Sequence, residues 1–417
     1  MVAAQKIGRW HGAGLLATTL LGTSVFILPQ MTIDIAGHWA VLSWTIIMLA
    51  ILPVAIVFAK LSALYPHAGG PAYFIEKAFG VTTGRTIGLM FIFVVPLGAP
   101  AAIIMTYWFV ETLFQLSPDY ALPLQLAIVA MLFALNYRGI QLSAALQLGL
   151  TLAITCLVLL LLIGASTQQT ISFSQFAHSP LPVSSLLTAM GLAFWSFLGI
   201  EAMAHLANDF RNPARDFLPA VMLGTLIVGA IYICCTLLLI DVSSSHVLVM
   251  VDLFDQIFSG YGPLVIGALG VGGGIATVNV YTASLSRLVW SLSRDGVLPS
   301  YFSELNQYQV PQRALQLILV AMSMTIVVSY LGKYQLEDLI GWVNGVFVMI
   351  YLASMLAAFK LLQRRYHLLI GLACVFCFTI AMGLGQKMMY ALVLFAIFLP
   401  LLWLQKQRRR NALDFGQ

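Results

Sequence analysis

The stretch Trp195-Ser196-Phe197-Leu198-Gly199-Ile200-Glu201 lies inside an apolar segment that runs from residue 186 to 206. It carries a carboxylate, Glu201, in a chain that is 61% hydrophobic and only 8% charged. Because an ionisable side chain at bilayer depth costs roughly 2.5 to 3.5 kcal/mol even on lenient insertion scales, we expect Glu201 to be paired inside the protein or to line a water-filled path. The adjacent Gly199 predicts an interrupted helix, where freed backbone groups can bind a solute.

The rest of the chain has the composition of a helical membrane protein. Its 417 residues have a mean hydropathy of +0.96, and its apolar runs are longer than the roughly 18 to 20 residues that cross a bilayer. They are continuous blocks rather than the short alternating segments of a β-barrel. The predicted fold class is an all-α polytopic membrane protein with twelve transmembrane helices. The predicted spans are 10–35, 40–64, 86–115, 122–138, 142–164, 184–206, 217–240, 261–290, 314–331, 336–360, 366–385 and 388–405.

The basic residues predict the orientation, because lysine and arginine are retained on the cytoplasmic side of a membrane. With a cytoplasmic N-terminus, the twelve spans place all but Lys333 and Lys387 of the 20 lysines and arginines on the cytoplasmic side. Both termini are therefore predicted to be cytoplasmic, with residues 406–417 as a short basic tail. The formal charge of +5 then reflects topology and not nucleic-acid binding. A partial helix is expected outside the membrane within residues 241–260.

Two glycine-containing breaks occur five spans apart. Residues 22–24 (Gly-Thr-Ser) interrupt the first span, and Gly199 interrupts the sixth. This spacing predicts an inverted repeat in which residues of about 10–164 correspond to residues of about 184–360. The helices at 366–405 fall outside the repeat and are predicted to be peripheral. Residues 1–405 are thus predicted to form a single transmembrane domain.

The two breaks predict a binding site for a zwitterion. A half-helix N-terminus offers N–H groups that suit a carboxylate, and a half-helix C-terminus offers carbonyls that suit an ammonium group. Two antiparallel breaks would present both, which suits an α-amino acid, and Thr23 and Ser24 add hydroxyls. The third span has no charge in its central stretch, so an apolar substrate side chain is favoured. The residues of that span expected to read the side chain are Phe91, Phe93, Val94, Pro96, Leu97, Pro100 and Ala101.

The eighth span has a stripe of small residues, Gly267, Gly270 and Gly274, that continues to Thr277 and Tyr281. These positions advance by three or four residues and share one helix face. For the glycines, close packing of helices is the favoured interpretation, because small residues are frequent at helix contacts in membranes. Thr277 and Tyr281 are candidate pocket residues.

Several polar or reactive residues have two interpretations. Glu201 is either a structural acceptor for amides at the break or a proton-coupling group. Asn344 is either a helix–helix hydrogen-bond residue or a substrate contact. Cys374 and Cys377 have the CxxC spacing but lie inside a predicted span, so packing is favoured over metal or redox chemistry. No metal site and no cofactor are predicted.

Six motifs in order along the chain resemble those of the amino acid-polyamine-organocation (APC) transporters, and the resemblance covers most of the sequence. The run from Phe194 to Leu206 looks most similar to the bacterial inner-membrane subgroup that exports methionine and branched-chain amino acids. The six motifs are residues 22–29, Tyr65–Phe74, Asn136–Gly139, Trp195–Glu201, Asn208–Arg215 and Arg294–Pro299.

The resemblance implies a secondary transporter of neutral apolar amino acids (methionine, leucine, isoleucine and valine), an exporter that works by alternating access, coupled to protons or to exchange. It assigns the substrate carboxylate to Thr23 and Ser24, the amino group to carbonyls of Leu20, Trp195 and Leu198, and a gate to Trp195. The predicted substrate-binding residues are Leu20, Gly22, Thr23, Ser24, Trp195, Leu198, Gly199, Thr277 and Tyr281, and the predicted gating or coupling residues are Trp195 and Glu201.

Other functions remain open from the sequence. An amino-acid sensor that keeps a transporter fold, an importer of other small neutral amino acids and a channel are the alternatives. The fifth span has no lysine of the kind that some proton-coupled relatives carry, and Gln147 is its only long polar side chain. The coupling ion and the oligomeric state are therefore left open. The expected partners are the amino acid, protons and the bilayer, with no nucleic acid.

Overall fold

The computed structural model describes residues 8–65, 67, 70–140, 144–168, 181–205, 210–242, 248–294 and 296–414. Within those residues the chain forms helices joined by short connections, and it has no strand. Nine segments of the described chain are long and apolar enough to cross a membrane. The prediction of an all-α, multi-pass membrane protein is confirmed. Six residues of the motifs lie outside the described residues, namely Pro66, Ala68, Gly69, Asn208, Asp209 and Asp295.

The helices follow the predicted spans closely. The first seven are α1 (Arg9–Leu21), α2 (Leu28–Ala36), α3 (Ala40–Leu64), α4 (Gly70–Phe79), α5 (Val81–Phe114), α6 (Ala121–Tyr137) and α7 (Ala144–Gln168). The others are α8 (Val183–Ala193), α9 (Ile200–His205), α10 (Leu218–Leu239), α11 (Val249–Phe258), α12 (Gly262–Arg294), α13 (Gln312–Gly332), α14 (Leu336–Leu361), α15 (His367–Leu384) and α16 (Met388–Asp414).

Three helices differ from the predicted spans or lie outside them. Helix α4 was not predicted and forms a short element before α5. Helix α11 is the partial helix expected within residues 241–260, and residues 243–247 lie outside the described part of the chain. Helix α16 continues past residue 405 to Asp414, so the basic tail begins as an extension of the last helix.

The buried apolar side chains form two separate major cores. One core belongs to α5, α6, α12 and α13, and it includes the fully buried Ile103, Leu132, Val289 and Met322. The larger core runs through the broken helices and through α3, α10, α14 and α15. A cavity lies where the two groups of helices meet. Helix α5 contributes buried residues to both cores, for example Met105 to the larger core and Ile103 to the smaller one.

Asparagine side chains link the end of α6 to α12 and to the segment before α13. The Asn136 amide donates to the Asn279 side-chain oxygen at 2.7 Å, and the Asn279 amide donates to the Ile140 carbonyl at 3.1 Å. The Asn306 amide donates to the Tyr137 carbonyl at 3.0 Å. Because buried amides are costly to leave unpaired, these bonds fix the end of α6 against α12. The motif at 136–139 therefore has a structural role here.

Helix α12 packs closely on α5 through its glycines. A Cβ atom on Gly270 would lie 2.2 Å from the Phe109 ring, and one on Gly274 would lie 2.1 Å from the Thr106 hydroxyl oxygen. Gly267 likewise has no room for a methyl group against α5. The interpretation of these glycines as helix-packing residues is confirmed.

Candidate functional site

The first break begins where α1 ends. Gly22 has φ +35° and ψ −129°, a conformation that residues with a side chain rarely adopt. A Cβ there would also lie 3.0 Å from the Thr277 hydroxyl oxygen. Ser24 to Phe26 then form one turn of 3₁₀ helix, and α2 begins at Leu28. A glycine is therefore needed at the point where the chain leaves α1 and approaches α12.

Polar side chains from α10 hold the first break in place. The Tyr232 hydroxyl lies 2.6 Å from the Ser24 hydroxyl and donates to the Leu20 carbonyl at 3.2 Å. Trp44 of α3 stacks on the Tyr232 ring with centroids 4.4 Å apart and planes inclined by 6°. Thr23 donates to the Met105 sulfur at 3.4 Å, and a thioether is a weak acceptor. The Thr23 hydroxyl is therefore less strongly bound by the protein than the Ser24 hydroxyl.

The second break follows α8. Residues 194–197 form a 3₁₀ turn, Leu198 is extended with ψ 126°, and α9 begins at Ile200. Gly199 has φ +124°, where a residue with a side chain is strained. A Cβ on Gly199 would lie 3.0 Å from the Thr19 methyl carbon. The two breaks are thus in direct contact, since Thr19 belongs to the last turns of α1.

Glu201 lies behind the second break, with only 2% of its surface exposed. Its Oε2 atom accepts a hydrogen bond from the Gly199 amide at 2.9 Å and another from the Tyr351 hydroxyl. Tyr351 is fully buried, and its ring packs edge-on against Phe58 and Phe194 at centroid distances of 5.0 and 5.4 Å. Glu201 therefore joins the break to α14, which is the structural interpretation. A coupling role for the same residue stays a prediction.

A cavity lies between the two breaks, α5, α12 and α14. The space free of protein atoms is about 620 Å³, and this figure includes space that is open to solvent. Gly199 and Glu201 lie behind this lining rather than in it. The predicted substrate-binding residues that line the cavity are Leu20, Gly22, Thr23, Ser24, Trp195, Leu198, Thr277 and Tyr281.

The sequence did not identify about half of the lining, because these residues are ordinary apolar or small residues. Only the helix face on which the structure places them identifies them as lining residues. They are Thr19, Val95, Gly98, Ala99, Ala102, Val278, Val343 and Phe347. Val94, which also lines the cavity, was expected.

The expected lining from the third span was wrong for most residues. The cavity face of α5 runs through Val94, Gly98 and Ala102, which are four residues apart and share one side of the helix. Phe93 instead lies on an outer face beside Phe398, with 42% of its surface exposed. A helix that is apolar all round gives no sign of which face is inside. The residues that do not line the cavity are Phe91, Phe93, Pro96, Leu97, Pro100 and Ala101.

The cavity has one polar wall and one apolar wall. The breaks together with the lining residues Thr19, Thr23, Thr277 and Tyr281 form what we call the polar wall, and α5 and α14 supply the apolar wall with Trp195 at its edge. Among the described residues, none that lines the cavity is an aspartate, glutamate, lysine, arginine or histidine. Such a cavity can bind a small molecule that has one polar end without net charge and one apolar end.

Asn344 on α14 does not line this cavity. Its amide donates to the Gly191 carbonyl of α8 at 2.7 Å and lies 3.4 Å from the Leu192 carbonyl. The interpretation of Asn344 as a helix–helix hydrogen-bond residue is confirmed. The side chain of Gln147, the polar candidate in the fifth span, lies outside the described residues.

An all-helical, multi-pass membrane protein with two interrupted helices around an uncharged cavity has the architecture of a solute transporter. Residues 7–413 match the amino acid permease family, and the chain belongs to this family. The resemblance to APC transporters is confirmed, and the protein is a transporter-family member rather than an enzyme.

Three relatives show the range of the family. The L-methionine/branched-chain amino acid exporter YjeH of Escherichia coli (strain K12) is 34% identical, over 98% of this chain and 97% of the relative. The uncharacterized amino acid permease YecA of Bacillus subtilis (strain 168) is 26% identical, over 94% of each chain. The cadaverine/lysine antiporter of E. coli (strain K12) is 25% identical, over 99% of this chain and 97% of the relative.

Proposed function

We propose that the protein exports neutral apolar amino acids, of which methionine, leucine, isoleucine and valine are the expected substrates, across the bacterial inner membrane by alternating access. The observation that carries this proposal is the cavity with a polar wall of helix breaks and an apolar wall without charged side chains. The similarity to a methionine/branched-chain amino acid exporter supports both the substrate class and the direction. A cationic substrate would call for a carboxylate in the lining, and none of the lining residues supplies one.

The two ends of the substrate have different partners in this proposal. The carboxylate lies at the first break, beside Thr23, Ser24 and the N-terminal end of α2, where N–H groups and the helix dipole favour an anion. The ammonium group lies against backbone carbonyls of Leu20, Trp195 and Leu198. Trp195 gates access to the cavity, and Glu201 couples the state of the second break to protons.

The proposed topology has twelve spans, with a 5+5 inverted repeat and cytoplasmic termini. Two of the nine candidate segments, 24–64 and 364–407, each contain more than one helix, and the 183–197 segment is too short to be counted alone, which supports a higher number of spans. The glycines with positive φ at both breaks support a repeat. The concentration of lysine and arginine at one side supports the orientation.

Transport in proteoliposomes tests this function. Preloaded leucine should drive uptake of labelled methionine, leucine, isoleucine and valine by counterflow, and an imposed pH gradient should change net flux. Labelled arginine and glutamate should not enter, because the cavity offers their side chains no opposite charge. Binding without any flux would indicate a sensor, flux without exchange would indicate a channel, and preference for arginine or glutamate would contradict the substrate class.

A further inference from the structure

Gly98 lies on the cavity face of α5, opposite α14 and beside Trp195. A Cβ atom placed on it would have the two Val343 methyl carbons at 3.6 and 3.7 Å and the Trp195 Cη2 atom at 3.7 Å as its nearest neighbours. These are ordinary van der Waals distances. A methyl group at position 98 would therefore fit without displacing the backbone or its neighbours.

Gly98 differs in this respect from the glycines that pack α12 on α5. A Cβ on Gly270 or Gly274 would lie 2.2 or 2.1 Å from an α5 side chain, so helix packing accounts for those glycines. Glycine inside a helix is less stable than alanine, and Gly98 is one of 34 residues of the continuous helix α5. The side-chain distances around Gly98 therefore do not exclude an alanine. Gly98 is also one of the residues that line the cavity.

Gly98 lies near the expected position of the side chain of a bound amino acid. The polar wall is formed by the two breaks and by Thr277 and Tyr281, and Gly98 lies on the apolar wall with Val343 and Trp195. A substrate held at the breaks by its carboxylate and ammonium groups therefore directs its side chain toward α5 and α14. The end of a long or branched apolar side chain would lie beside Gly98, Val343 and Trp195.

We propose that Gly98 determines specificity by keeping the apolar end of the cavity wide enough for side chains of four heavy atoms, as in leucine, isoleucine and methionine. This inference rests on the proposed function of neutral amino acid transport. A methyl group on residue 98 shortens the apolar end while the polar wall stays unchanged. Small neutral amino acids keep their affinity, and larger ones lose theirs.

The test compares leucine with 2-aminobutyrate, whose side chain is two carbons shorter, in proteoliposomes. In Gly98→Ala, the ratio of kcat/KM for leucine to that for 2-aminobutyrate should fall by about 10- to 100-fold, the effect of one misfitted methyl group in an apolar pocket. Gly88→Ala is the matched control, because Gly88 is also buried in α5 and a Cβ there would have no neighbour within 4 Å. The control should keep the wild-type ratio.

A second substitution makes the test independent of a general loss of activity. Val343→Ala removes the methyl groups that the new Cβ would meet, so Gly98→Ala/Val343→Ala should regain most of the leucine preference. Val343→Ala alone should raise the relative rate for phenylalanine. An unchanged leucine ratio in Gly98→Ala, the same fall in Gly88→Ala, or no recovery in the double variant would overturn the inference.

These outcomes are distinct from a failure of the proposed function. If the wild-type protein moves neither leucine nor 2-aminobutyrate, the proposed function fails before Gly98 is tested. If the wild type moves leucine and Gly98→Ala moves both substrates with wild-type preference, only the role of Gly98 is wrong. If Gly98→Ala does not fold, the phenylalanine rate of Val343→Ala decides, and an unchanged rate counts against the proposal.

Discussion

The two helix breaks share a backbone feature, but different chemical groups contact them. Each contains a glycine with positive φ, +35° at Gly22 and +124° at Gly199. At the first break the polar contacts come from hydroxyl groups, with Tyr232 at the Leu20 carbonyl. At the second break the protein's own carboxylate, Glu201, accepts from the Gly199 amide. The second break therefore already binds a carboxyl group of the protein, and the first does not.

Because of this difference, a zwitterion is expected to bind in the cavity in one orientation. Since Glu201 already occupies the Gly199 amide, a substrate carboxylate would meet a negatively charged or already satisfied group there. The first break offers hydroxyls and the start of α2 without a competing acid, so it is the better site for a carboxylate. The substrate ammonium group is then left for the carbonyl side, with Glu201 nearby behind it. The asymmetry favours one orientation of a zwitterion over the other.

The largest effect is expected from Glu201→Ala. It leaves the buried Gly199 amide without its acceptor and leaves the Tyr351 hydroxyl with only the Phe197 carbonyl at 3.4 Å. An unsatisfied buried group costs about 1 to 3 kcal/mol. We expect a clear loss of thermal stability in detergent and loss of transport. Glu304→Ala is the control, since Glu304 is also a carboxylate but is exposed and pairs with Arg313 at 2.9 Å, and such surface pairs contribute little. Equal stability of the two variants would show that the second break does not need its carboxylate.

Sequence reasoning located both breaks because their signal is local. A glycine beside hydroxyl or acidic residues within an apolar span stands out, and Gly22, Thr23 and Glu201 were found in this way. The two tyrosines that hold the breaks were not found, since Tyr232 is 208 residues from Ser24 and Tyr351 is 150 residues from Glu201. Such pairs depend on tertiary packing, which a single sequence does not reveal.

The apolar half of the cavity was missed for a different reason. Helix α5 is apolar on all sides, so the choice of large residues such as Phe91 and Phe93 had no support from periodicity. The structure instead places small residues, Gly98, Ala99 and Ala102, on the cavity. Small residues can leave space in a binding site, and they can also permit close helix packing. A single sequence does not show which of the two applies.

An intermediate effect is expected at the first break. Thr23→Ala should weaken substrate binding by roughly 0.5 to 3 kcal/mol, because it removes a hydroxyl that the protein uses only for a weak contact with Met105. Ser24→Ala should weaken binding by a similar or smaller amount, and Tyr232→Phe should have the same effect as Ser24→Ala, because the two hydroxyls are 2.6 Å apart and act together. Titration of leucine in detergent measures these affinities.

Substrate analogues without a carboxylate further test whether the first break binds the substrate carboxylate. Leucinol and isoamylamine lack the carboxylate, so any weak binding they retain should be the same in wild type and Thr23→Ala. Unchanged leucine affinity in both Thr23→Ala and Ser24→Ala would place the carboxylate elsewhere and would remove the proposed asymmetry. A thermal unfolding curve for each variant separates loss of binding from loss of folding.

The smallest effect on the fold, and the most informative for mechanism, is expected from Glu201→Gln. A glutamine whose side-chain oxygen takes the place of Oε2 can still accept from both the Gly199 amide and the Tyr351 hydroxyl, so the second break keeps its hydrogen bonds and stability should stay near the wild-type value. Glutamine does not exchange a proton in the transport cycle. If Glu201 couples transport to protons, net flux in this variant should no longer follow an imposed pH gradient. Substrate–substrate exchange should survive, because exchange needs the loaded site and no net proton movement. A Glu201→Gln protein that folds, exchanges leucine and still follows the pH gradient would leave Glu201 with its structural role at the second break alone.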